Sequence, residues 1–137
     1  MMVVDASVAV KWFLPEPGAD EAQQLLQGPE KLAGPALIRL EVFAAFTRKV
    51  RLQELPVEEA RAACDLWSRA LATGALTLVP DARHLPRAIE LAFEIRHPLQ
   101  DCLYLAVAEY NQATLVTADP KFAERASHGY AGVRLLS

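Results

Sequence analysis

Four acidic residues, Asp5, Glu41, Asp101 and Asp119, stand in apolar surroundings that carboxylates do not ordinarily occupy. Asp5 ends the run Met1-Met2-Val3-Val4, and apolar residues resume after Ala6 and Ser7. Glu41 is flanked by Leu40, Val42 and Phe43, and at helical spacing it shares a face with Leu37 and Ala45. Asp101 lies near the start of the strongly apolar stretch Leu99 to Ala108, and Asp119 follows Thr117-Ala118 and precedes Pro120. Carboxylates that converge from such places repel one another and favour protonation unless a cation joins them. Ligation through oxygen alone suits a hard cation, Mg²⁺ or Mn²⁺. Such an ion lowers the pKa of a water it binds and braces a phosphoryl oxygen, so the chemistry indicated is metal-assisted hydrolysis of a phosphodiester. One metal or two remains open at this point.

Each acid also has a simpler explanation when taken alone. Asp5 and Asp119 each precede a helix and could only cap it. Asp101 could answer the dipole of its own helix, and Glu41 could belong to a structural ion pair. Their positions relative to the secondary structure separate these readings.

Val3 and Val4 form a short β-branched run of the kind found in buried parallel strands, with Asp5 at the carboxyl end. A short helix spans Ala6 to Phe13, stopped by Pro15 and Pro17, and a second spans Ala19 to Leu26. Lys31 to Gly34 is a second strand, and Pro35 opens a long helix to Arg51. A further helix runs from Pro56 to Ala72, a third strand from Ala75 to Val79, and helices cover Leu85 to Ile95 and Leu99 to Tyr110. Thr114 to Thr117 is a fourth strand, Lys121 to Ala126 a short helix and Val133 to Leu136 a fifth strand. Strands alternating with helices imply a parallel α/β sheet with right-handed crossovers. In that arrangement Asp5 and Asp119 leave strand ends, and the helices of Glu41 and Asp101 begin at the same edge. All four acids therefore share the rim where open α/β sheets bind ligands.

Length and composition bound the rest. A chain of 137 residues, 53% hydrophobic, is expected to form a single domain over 1–137 with a substantial core. No apolar run reaches the roughly 18 residues of a membrane span, and no signal peptide is evident, so the cytoplasm is the expected location. Cys64 and Cys102 form no CxxC pair and are expected as reduced thiols, and His84, His97 and His128 lack zinc-like spacing. The net charge of −3 does not mark a nucleic-acid binder in bulk, so an RNA substrate would need bound cations and local basic patches. Lys11, Arg48, Lys49, Arg51 and Lys121 are the candidates for phosphate contacts, although the group at 48–51 also suits a solvated helix end. Trp12, Phe13 and Trp67 read as packing residues rather than base-stacking ones.

Val3-Val4-Asp5-Ala6-Ser7, the segment from Glu41 to Ala45, the segment from Asp101 to Ala106 and Thr117-Ala118-Asp119-Pro120-Lys121-Phe122 together resemble the PIN domain. More narrowly, the chain is similar over nearly its whole length to the VapC-like toxins of toxin–antitoxin pairs. The resemblance implies a three-layer α/β/α sandwich around a five-stranded parallel sheet, usually in a homodimer. It implies Mg²⁺- or Mn²⁺-dependent endoribonuclease activity on tRNA or rRNA. It also implies a small cognate antitoxin that blocks the site, with operator DNA engaged only through that antitoxin. Asp5, Glu41, Asp101 and Asp119 match the family's acidic quartet, and Ser7 and Thr117 its polar accessories. Asp5 and Asp101 are then the first choice for direct metal ligands, with Asp119 direct or through water. Glu41 would orient the attacking water or ligate metal, while Ser7 and Thr117 would hold carboxylates or waters by hydrogen bonds. Lys121 stands where some relatives carry a further acid.

Other classes fit less well. A phosphatase with Asp5 as nucleophile wants an acid where Ser7 stands, and a phosphoryl-accepting receiver wants paired early acids and a late Lys. A non-catalytic RNA- or protein-binding module on a nuclease-like fold, or a housekeeping PIN ribonuclease, are the remaining alternatives.

Overall fold

The computed structural model describes residues 1–136. Its elements are β1 (Met2–Val4), α1 (Ala6–Ala9), a 3-10 turn (Val10–Trp12), α2 (Ala19–Gln27), β2 (Leu32–Pro35), α3 (Leu37–Arg51) and α4 (Val57–Ala72). The chain continues through β3 (Thr77–Val79), α5 (Leu85–Ile95), α6 (Leu99–Asn111), β4 (Thr114–Thr117), α7 (Pro120–Ser127) and β5 (Val133–Leu135). The strands form one sheet in the order β3-β2-β1-β4-β5, and every pairing is parallel.

The order explains the layers. From β1 the chain moves outward through β2 to β3, then returns across the sheet to β4 and β5. Right-handed crossovers in the two directions set α1–α4 against one face and α5–α7 against the other. Helix contacts agree, with α3 meeting α1 and α4, and α6 meeting α5 and α7. The expected α/β/α sandwich with a five-stranded parallel sheet is the fold observed.

Burial follows the sequence pattern. Val3 and Val4 in β1 and Leu115 and Val116 in β4 have no exposure, as strands covered on both faces require. Helix α6 buries every residue from Cys102 to Ala108, so it is a central helix rather than an amphipathic surface one. Phe13 makes edge contacts with Trp12, Phe46 and Trp67, which places these aromatics in packing, and the two indole N–H groups donate to Ala22 O and Arg39 O.

Several element ends shift by one or two residues, the third strand starting at Thr77 instead of Ala75, and two of the differences have a clear physical reason. Pro35 ends β2, paired with Val79, instead of opening α3. The β1–β2 register stops at Ala33, so the proline's missing N–H removes no bond on that side, and Ala36 N–H donates to Val79 O at 2.8 Å. The expected helix from Ala6 to Phe13 tightens after Ala9 into the 3-10 turn that Leu14 and the two prolines end.

Candidate active site

Asp5 leaves β1 where the strand order reverses, between β1 and β4, at the carboxyl edge of the sheet. Its carboxylate is buried and accepts three hydrogen bonds, two on Oδ1 and one on Oδ2. Ser7 Oγ donates to Oδ1 at 2.5 Å, Thr117 Oγ1 donates to Oδ2 at 2.5 Å, and Val8 N–H reaches Oδ1 at 3.3 Å. Each hydroxyl is itself oriented by a backbone amide, since Ala118 N–H donates to Ser7 Oγ at 2.9 Å and Asp119 N–H to Thr117 Oγ1 at 3.1 Å. With lone pairs so occupied, the hydroxyl protons point at Asp5, and the exits of β1 and β4 are tied together. Burial nevertheless pushes Asp5 up from 3.8 to about 6; the hydrogen bonds oppose the rise and the charge of Asp101 adds to it.

Glu41 lies in the second turn of α3, half-buried, and accepts a hydrogen bond from Tyr104 Oη at 2.6 Å. Burial raises its pKa, and the charges of Asp101 and Asp81 raise it further, while the Tyr104 bond works the other way. Tyr104 has 1% exposure, and burial together with Glu41 pushes its phenol up, so it remains an O–H donor. Asp81, on the turn after β3, donates nothing to Glu41; its Oδ1 instead accepts Leu37 N–H at 3.1 Å and so caps α3, whose own Ala36 offers no side chain for it.

Asp101, in the first turn of α6, meets His97. Imidazole Nε2 is 2.6 Å from Oδ2, and because an ionised carboxylate only accepts, Nε2 carries the proton. The His97 side chain is 4% exposed and its ring stacks on Phe122 at 5.0 Å with planes 11° apart. That stack fixes the imidazole, and the imidazole fixes Asp101.

Asp119 stands apart from this trio. Its Oδ1 accepts Lys121 N–H at 3.0 Å and Phe122 N–H at 3.3 Å, capping α7. It joins the site through its backbone amide on Thr117. Asp5, Glu41 and Asp101 thus form one electrostatically coupled group, and Asp119 sits at its margin.

The donor chemistry fits a hard dication. Asp5 and Glu41, both raised by burial and by the charge of Asp101, carry the charge imbalance that such an ion offsets. Among the described residues, no three His, Cys, Asp or Glu side chains close a metal cage by themselves. Mg²⁺ does not need one, since it keeps several waters and is commonly held by one or two carboxylates together with substrate phosphates.

The basic candidates divide. Lys11 and Lys49 meet on Glu16, at 3.3 and 2.8 Å, beside a cavity of about 300 Å³ that Ser7 and Asp119 also line. Arg48, Arg51 and Lys121 are exposed, the arginines at the far end of α3. Sequence reading missed Glu16, Asp81, His97 and Tyr104. Only Tyr104 carried a signal, because a tyrosine inside so apolar a run needs a partner for its hydroxyl.

A family model described as the PIN domain matches residues 2–127. This chain belongs to the PIN domain family. Among relatives, Ribonuclease VapC9 of Mycobacterium tuberculosis (strain CDC 1551 / Oshkosh) is 32% identical over 126 residues, 90% of each chain. Ribonuclease VapC1 of the same strain is 37% identical over 93 residues, 65% of this chain and 63% of VapC1. The chain thus spans less than two thirds of VapC1's length. Solved structures share the fold. The PIN domain superposes on a chain of a Klebsiella pneumoniae toxin–antitoxin complex with TM-score 0.66 at 20% identity, covering 100% of this chain and 98% of that one. PAE2754 of Pyrobaculum aerophilum gives 0.71 at 23%, covering 90% and 84%. VapC20 of Mycobacterium tuberculosis, a sarcin–ricin loop cleaving toxin, gives 0.67 at 17%, covering 98% and 99%.

Proposed function

We propose that this PIN domain is a metal-dependent endoribonuclease and the toxin of a toxin–antitoxin pair, acting as a homodimer on tRNA or rRNA in the cytoplasm. The observation that carries the reading is the coupled trio Asp5, Glu41 and Asp101 at the switch point of a PIN fold whose relatives are VapC ribonucleases. A toxin–antitoxin complex among the fold's neighbours supports a small antitoxin as partner, with operator DNA reached only through it. No helix among the described residues is long and apolar enough to cross a membrane.

Asp5 and Asp101 would hold the ion, Mg²⁺ or Mn²⁺, with Asp119 joining directly or through water. When bound, the ion supplies a more acidic water and a brace for phosphoryl oxygens. The chain's own residues supply the rest. Ser7 and Thr117 keep Asp5 ionised and aimed, and His97 keeps Asp101 from rotating. Glu41, raised by burial and by neighbouring acids, is better matched to take a proton near neutral pH than an ordinary carboxylate would be. Tyr104 holds it in place for that transfer.

The test is cleavage of purified tRNA and rRNA with Mg²⁺, with Mn²⁺ and with chelator, beside Asp5→Asn and Asp101→Asn. Discrete metal-dependent fragments lost in both variants are expected. Cleavage that survives chelation, or that both variants retain, would overturn the reading.

A further inference from the structure

Glu16 sits between Pro15 and Pro17, outside the acidic quartet, with 21% side-chain exposure. Its two carboxylate oxygens are divided between two ammonium groups: Oε1 takes Lys11 Nζ at 3.3 Å and Oε2 takes Lys49 Nζ at 2.8 Å. Lys11 is anchored a second time, donating to Pro17 O at 2.7 Å. All three side chains line the cavity of about 300 Å³ that Ser7 and Asp119 also line. An oxyanion bridging two lysines, next to a centre that handles phosphodiesters, is the arrangement two non-bridging phosphate oxygens would make.

We propose that Lys11 and Lys49 form a phosphate-binding subsite for the RNA strand beside the acidic centre, and that Glu16 occupies it until the strand displaces it. The inference rests on the ribonuclease reading and adds where the strand leaves the site. Two lysines against one glutamate leave a net charge of +1, so the cluster still attracts a polyanion that the neighbouring acids repel. Lys11 keeps its position after displacement through Pro17 O. Burial alone would favour protonated Glu16, but the bond and charge from Lys49, then those from Lys11, outweigh it and hold the carboxyl below its usual value. The site is therefore filled by a true anion. Arg48 and Arg51, exposed in the same last turn of α3 as Lys49, lie outside the cavity lining.

The test is anisotropy of a short fluorescein-labelled single-stranded RNA of mixed sequence, in chelator, over a series of KCl concentrations. Lys11→Gln and Lys49→Gln should each weaken binding several-fold and flatten the slope of log Kd against log [KCl] by about 0.7, the value for one phosphate contact to a single strand. Glu16→Gln should tighten binding several-fold, and Lys49→Arg should keep wild-type affinity. Equal affinity and slope in Lys49→Gln and wild type would overturn the proposal. So would weaker binding by Glu16→Gln when circular dichroism shows the native fold. Cleavage of the same RNA by the wild type with Mn²⁺ tests the ribonuclease reading separately, since the subsite is measured without metal.

Discussion

Replacing Asp5 with Asn should make the metal-free protein more stable, which is an unusual outcome for a buried residue that accepts three hydrogen bonds. The carboxyl rises from 3.8 to about 6 on folding, which corresponds to about 3 kcal/mol against the ionised form. The sign follows from proton counts. Below pH 3.8 folded and unfolded chains both hold the proton and no penalty exists. Between 3.8 and about 6 the folded chain holds more protons, so its stability falls as pH rises, and above 6 the full penalty applies. Asn cannot ionise, but it replaces one of the two hydroxyl acceptors with a donor, at a cost of about 1 kcal/mol. The net gain is about 2 kcal/mol above pH 7, or about 6 °C in Tm for a domain of this size.

The assay is scanning calorimetry of wild type and Asp5→Asn in chelator from pH 4 to 8, repeated with Mn²⁺. The variant should melt higher at pH 8, and the advantage should vanish at pH 4. Mn²⁺ at about a hundred times its Kd should raise the wild type by about 2.7 kcal/mol and leave the variant unmoved. A variant less stable than wild type at pH 8 in chelator would refute the reasoning, because Asp5 would then carry no unfavourable charge for a cation to relieve.

Three further predictions concern the groups that hold the other acids. Tyr104→Phe removes the donor on Glu41 at a cost of about 1 kcal/mol; Glu41 should then titrate higher, moving the acidic limb of the pH–rate profile towards higher pH, which initial rates across pH would show. His97→Phe keeps a ring on Phe122 but deletes the Nε2 donor to Asp101, and isothermal titration should give Mn²⁺ binding weaker by about 10- to 100-fold. An unchanged Kd would mean that Asp101 needs no such support. Asp119→Asn keeps the α7 cap, since Asn is as good a cap as Asp, whereas Asp119→Ala should lose about 1 kcal/mol in urea unfolding. Loss of cleavage in the Asn variant at wild-type stability would separate the carboxylate's charge from its capping.

The periodicity and punctuation of the sequence placed the elements well where local signals were strong. Leu85–Ile95 and Thr114–Thr117 have the bounds read from the pattern, because a helical apolar face and a short β-rich run each speak for themselves. Pro35 misled because a proline before an apolar helical pattern ordinarily marks a first turn, whereas here the β1 pairing ends two residues earlier and leaves room for it in β2. The acids were legible as strand-end and helix-start residues, since topology alone brings them to one edge. Their partners were not. Tyr104 reaches Glu41 across 63 positions and Thr117 reaches Asp5 across 112, distances at which no spacing rule operates. His97 lies before the helix that carries Asp101, separated from it by Pro98, so helical periodicity could not pair them. Glu16 stands between two prolines with no local pattern to mark it, and only the return of α3 brings Lys49 to it.

The choice between a capping acid and a functional acid turns out to be no choice at Asp5. Its Oδ1 accepts from Val8 as any N-cap would, and burial raises the same carboxylate to about 6. A cap needs an acceptor at the start of a helix, and in a parallel sheet the helices that follow strands start at the carboxyl edge, where ligands bind. Capping therefore positions the group that the site uses, and fixes it before any ligand arrives. Asp119 shows the other half of the argument. It caps α7 with two backbone bonds, and its charge is not among those that raise Asp5. Charge coupling to another acid, rather than position at a helix start, is what distinguishes Asp5 from Asp119. Asp5 and Asp101, whose charges couple, should therefore dominate metal affinity, and Asp119 should contribute less than either.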